Sequence, residues 1–128
     1  GREYAPPGVL AGAMRYHGVA PIVSSLYKEK YVEAIAHGQI ESYSAGLMFT
    51  RAEGIVLSPH AMYTVKEVIE QALRCKTKGT DDTILFTVTP AVSTESSPYD
   101  SLLDGVMHDE KPEEVSLKKS LGRFIGRG

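Results

Sequence analysis

Apolar residues change their spacing several times along this chain, and each change predicts a boundary. From Pro21, the residues Ile22, Leu26 and Glu29 fall at helical spacing, and a proline suits the first turn, so a short helix to about Lys30 is expected. Over residues 31–36, YVEAIA, apolar positions alternate with smaller ones and Val32 and Ile35 are β-branched. That predicts a short strand stopped at Gly38. Helical spacing returns between Gln39 and Arg51, where Ile40, Tyr43, Leu47 and Met48 share one face and Gly54 stands where a helix end favours a left-handed residue. Residues 55–57, IVL, are too short a run to assign. Ser58 and Pro59 then read as a helix start, a hydroxyl cap followed by proline at the first helical position. Met62, Val65, Val68, Ile69, Ala72 and Leu73 carry the stripe towards Lys78, where basic residues suit the helix dipole and Gly79 stops the run.

Residues 83–89, TILFTVT, are nearly continuous in apolar and β-branched side chains, as in a strand covered on both faces. PAVSTESSP follows as loop, with a short helix expected over 99–105. The ends differ from this middle. Residues 1–8, GREYAPPG, read as an extended arm, and residues 106–128 turn acidic and then basic with little periodicity, as in an extended tail ordered only against a partner. One domain over 9–105 remains. Its order of helix, strand, helix, helix and strand predicts an α/β fold with a small partial parallel sheet and flanking helices. Two or three parallel strands leave an edge open to pairing, so the chain is expected to be a piece of a larger sheet or to dock on another subunit.

Composition narrows the chemistry. Fourteen basic and sixteen acidic residues give a net charge of −2, which supplies no overall pull towards nucleic acid or anionic lipid. Lys118, Lys119, Arg123 and Arg127 form a local basic run that would meet either nucleic acid or a protein surface; Leu121, Phe124 and Ile125 among them favour protein. A single cysteine, Cys75, excludes an intrachain disulfide and a cysteine-based zinc site, and reads as an ordinary reduced thiol on a helix. No apolar run reaches the roughly 20 residues of a membrane span. His37, His60 and His108 have no second ligand at helical spacing, so no metal site is expected. Asp81 and Asp82 suit a turn, and no Ser/His/Asp spacing suggests a nucleophile. A start at Gly1 rather than Met suggests processing or truncation.

The stretch MRYHGVAP, residues 14–21, presents Arg15, Tyr16 and His17 between small residues and closes on Gly18 and Pro21. It lies within a series of blocks: AGAMRYHGVAPIVSSLYKEKYVEA, AGLMFTRAEGIV, HAMYTVKEVIEQALRCKTKG and ILF. Together these blocks resemble, in order, the C-terminal part of tryptophan synthase β-chain-like proteins, over roughly residues 9 to 89. The resemblance implies a fold-type II pyridoxal phosphate enzyme that joins a serine-derived unit to indole. It also implies that the Arg-Tyr-His-Gly loop lies at an active site. The family's Schiff-base lysine and glycine-rich phosphate cradle would both lie upstream of the matched blocks.

Two departures weaken the catalytic expectation. After Glu53-Gly54-Ile55-Val56 the chain passes through Leu57, Ser58 and Pro59 directly to His60-Ala61, a shorter loop than the family's and without its acidic residue. After the strand, Thr89 keeps a hydroxyl where the family's serine faces the cofactor ring, but Pro90 and Val92 stand at glycine positions. The expectation is therefore no catalytic residue, no metal and no cofactor, with Arg15, Tyr16, His17 and Thr89 as remnants of a pyridoxal phosphate site. The corresponding function is a non-catalytic accessory or structural subunit. Its partners would be the other protein subunits of a larger assembly in a plastid or mitochondrion, with the cytoplasm as alternative. A segment of a working lyase, completed by its missing part, is the competing reading. A small-molecule sensor with a remnant pocket beside Arg15 is a third.

Overall fold

Proline and glycine set the helix boundaries. A computed structural model of the protein describes residues 9–10, 19–91 and 97–110. Helix α1 spans Pro21–Lys28, α2 Gln39–Glu53, α3 Pro59–Lys78 and α4 Ser97–Leu103. Gly54 and Gly79 end α2 and α3 in the left-handed region, at φ 71° and 67°, where a side chain would be strained. Pro59 opens α3 as the pattern predicts, but the Ser58 hydroxyl does not cap it. That oxygen lies 3.1 Å from His60 Nε2 instead.

The core sits between α2 and α3. Tyr43, Ala45, Leu57, Ala61, Met62, Val65 and Met107 are its buried apolar members. The packing face of α2 differs from the expected one. Ile40 and Met48 are exposed, whereas Gln39, Ser42, Tyr43, Ala45 and Gly46 are buried. Close approach explains the difference. A Cβ at Gly46 would lie 2.6 Å from Met62 Cγ, so the missing side chain is what admits Met62. A larger residue at position 46 would hold the helices apart. Tyr43 is the hub, meeting Tyr63 and Tyr99 edge to face at 6.4 and 6.3 Å between ring centroids. The Tyr99 hydroxyl donates to the Leu57 carbonyl, which ties α4 to the start of α3.

The segment 83–89, which takes no regular secondary structure, lies beside this core, joined to α2 by an edge-to-face contact of Phe86 with Phe49 at 6.3 Å. It feeds one antiparallel bridge, Leu57 with Pro90. Ser58 N–H donates to Thr89 O, and Ala91 N–H to Val56 O, each at 2.9 Å. Leu57 and Pro90 thus face each other at a position where neither donates to the other, so the missing N–H of Pro90 leaves no gap. Among the described residues no ladder forms along 83–88, and residues 33–38 follow no regular element. The expected parallel sheet has no second strand there to pair with.

Residues 106–110, expected to begin a tail, pack back on the domain. Met107 is buried, and Asp109 meets the first turn of α2. The remaining arm and tail positions lie outside the described residues.

Candidate functional site

Loop 31–38 is tied to α3 by a side-chain hydrogen bond. His37 Nε2 pairs with Glu67 Oε2 at 2.8 Å, and the two side chains are 13% and 22% exposed. The other Glu67 oxygen accepts from Gln71 Nε2 at 2.8 Å and from the Arg74 guanidinium. Burial pushes the Glu67 carboxyl up, but the hydrogen bonds from His37, Gln71 and Arg74 prevail and hold it below the ordinary carboxylate value. Lys66 lies alongside, its ammonium 2.5 Å from Glu70 and 3.3 Å from Glu41. The Glu70 bond chiefly, with Glu41, holds the amine above its ordinary pKa against the effect of burial.

Above this network lies an open cleft of about 590 Å³ between the loop, α3 and residues 84–87. His37, Tyr63 and Glu67 form its polar part; Ile35, Val68 and Phe86 form an apolar wall. Burial raises the Tyr63 phenol above its ordinary pKa, and the charge of Asp109 adds to this. The Tyr63 hydroxyl is buried without a hydrogen-bond partner among the described residues, as are His60 Nδ1 and Thr50 Oγ1. Chemically this is a braced polar floor under an apolar wall. The Glu67 oxygens are engaged and the Lys66 amine holds its proton, so neither is poised as base or nucleophile.

Across most of its length the chain aligns with curated proteins. It is 39% identical over 119 residues to tryptophan synthase beta chain 2 of Aeropyrum pernix, covering 93% of this chain. It is 38% identical over 109 residues to the protein of that name from Aquifex aeolicus, and 36% over 118 residues to that of Pyrococcus abyssi. The alignments cover 85% and 92% of this chain. The chain is homologous to tryptophan synthase β chains. It spans about a quarter of the length of these relatives. No protein-family model matches it.

Of the positions at which the β-chain resemblance implies a site, Thr89 is exposed, and its backbone carbonyl is committed to Ser58. Arg15, Tyr16 and His17 lie outside the described residues, as do Lys118, Lys119, Arg123 and Arg127. Pyridoxal phosphate, which the resemblance implies, needs a desolvated lysine that can give up its proton, beside an anchor for its phosphate. Lys66 is braced as an ammonium, and Lys28, Lys30, Lys76 and Lys78 are exposed. The lysines among the described residues do not fit the group. Among the described residues no cluster of three metal-ligating side chains occurs, and no helix is long and apolar enough to cross a membrane. The network of His37 and Glu67 escaped the sequence pattern. The two residues stand thirty positions apart, and no periodicity relates a loop to a helix over that distance.

Proposed function

We propose that this chain is a non-catalytic docking portion of a larger protein assembly, descended from the tryptophan synthase β chain. In this reading, residues 83–88 complete a small parallel sheet with strands carried by the rest of a β-chain-like fold. One observation carries it: this apolar, strand-forming sequence takes no regular secondary structure and has no strand beside it among the described residues, and Leu85 is 96% exposed. Unpaired backbone groups beside apolar side chains are a template for another strand. Val88, Ile55 and Val56 extend the same kind of surface near the Leu57 bridge.

Isolation of the native chain under mild conditions, followed by hydrogen exchange and cross-linking near Leu85, tests the proposal. The expected result is a β-chain-like polypeptide cross-linked at that segment, with the amides of 83–88 protected in the complex and rapidly exchanging in the chain alone. A compact monomer with no partner, whose 83–88 amides exchange rapidly in the native preparation, overturns it.

The relatives' names favour a second reading, in which the chain is a segment of a working lyase that needs the remaining part of the fold. Supplying that part would then restore cofactor absorbance and the formation of tryptophan from serine and indole. A flat spectrum with no tryptophan formed disposes of it.

A further inference from the structure

The first turn of a helix leaves N–H groups without intrahelical acceptors, and the residue at the cap position normally supplies one from its side chain. At the start of α2 that residue is Gly38, which has no side chain to offer. Asp109, far downstream, takes its place. Its Oδ1 accepts from Gln39 N–H at 2.6 Å and from Ile40 N–H at 3.1 Å. Glycine makes the room, since a Cβ at position 38 would lie 3.0 Å from Asp109 Oδ2. Gly38 N–H itself donates to Glu41 Oε1 at 2.7 Å, so half of the cap is local and half comes from a residue far downstream.

Gln39 joins the same point to the N-terminal stretch. It is only 6% exposed, and both ends of its amide are used. Oε1 accepts from Leu10 N–H at 2.5 Å, and Nε2 donates to the His108 carbonyl at 2.8 Å. One turn on, the Tyr43 hydroxyl donates to the Leu10 carbonyl. The amide can satisfy both neighbours in one orientation only. Flipped, it would set its NH₂ against an N–H and its oxygen against a C=O. Asp109 fixes the adjacent His108 carbonyl, that carbonyl orients Gln39, and Gln39 then holds Leu10.

We propose that Gln39 and Asp109 form a clasp that couples the backbone at Leu10 to the segment of His108 and Asp109. Through it, the entry to the stretch bearing Arg15, Tyr16 and His17 is positioned by a carboxylate at residue 109. Both are positioning residues, and the clasp is independent of any docking at residues 83–88.

Hydrogen exchange resolved to single amides, on the full chain, tests the coupling, with α3 amides around Val65 as internal reference. Asp109→Ala is expected to speed exchange at Gln39 and Ile40 by about tenfold, as for a lost helix cap. Exchange at Leu10 should rise by about threefold or more, although Asp109 does not bond to Leu10. Glu41→Gln, which alters the local half of the cap and the pair with Lys66 but leaves Asp109 in place, is expected to leave Leu10 unchanged. If Asp109→Ala raises exchange everywhere, Asp109→Asn replaces it, and a smaller rise at both Leu10 and Ile40 is expected. Faster exchange at Gln39 and Ile40 with Leu10 unchanged, in whichever variant stays folded, overturns the clasp.

Discussion

Gly46 and Glu67 show how single residues act here, one by leaving space and the other by holding charge. Because Met62 is fully buried against Gly46, Gly46→Ala forces the two helices apart or Met62 out of its rotamer. The expected loss is about 1–3 kcal/mol, seen as a lowered midpoint in thermal unfolding. Glu67 gives a pH dependence whose sign follows from its lowered pKa. A carboxylate depressed in the folded state adds stability above its ordinary value of 4.5, and that stability is lost as pH falls through the folded value. Urea midpoints should therefore fall between about pH 6 and pH 3, and Glu67→Gln should flatten this acid limb. An unchanged limb in the variant would remove Glu67 from the account. The side chain lies near the surface, so salt should shrink the effect.

At the scale of elements, α2 and α3 stabilise each other while α1 stands apart. Eight residues make a marginal helix on their own, and α1 buries none of its side chains. Pro21 favours its start, and Lys30, at φ 61°, turns the chain out of it with Tyr31 N–H bonded to Leu26 O. Ile22 and Tyr27 remain largely exposed. In the chain alone, amides of 24–28 are expected to exchange orders of magnitude faster than those of 63–69 in α3, as measured by NMR. Equal protection of the two helices would contradict this, and protection of α1 that appears only in a complex would place α1 at an interface.

At the scale of the molecule, the core formed by the described residues is small and many of their large apolar side chains are exposed. Surface substitutions away from caps and packed sites usually change stability by less than about 0.5 kcal/mol. Leu85→Lys is expected to fall in that class for the chain alone, because Leu85 is 96% exposed. In the assembly the same change should abolish association by placing a charge in an apolar sheet contact. Thermal unfolding of the chain and co-isolation with its partner, compared between wild type and variant, separate the two effects. A variant that keeps its partner sinks the edge-pairing proposal, whereas one that unfolds alone shows that Leu85 supports the domain itself.

Local physics made much of this legible from the amino acids alone. The ends of α2 and α3 follow from Gly54 and Gly79, and the start of α3 from Pro59, because φ preferences and missing donors act within a turn. The ordered blocks around Arg15, Tyr16 and His17 were enough to indicate the β-chain relationship that the alignments bear out. Tertiary structure decided which face of α2 is buried, because the gap that Gly46 leaves acquires meaning only once Met62 is opposite. It also brought Asp109 to the cap of α2 and His37 to Glu67, pairings between residues far apart in sequence that no local period encodes. Residues 83–89 read as strand-like, since a nearly continuous run of apolar and β-branched side chains is a local signal. Whether such a segment becomes a strand depends on backbone partners, and these can come only from elsewhere in a folded or assembled protein.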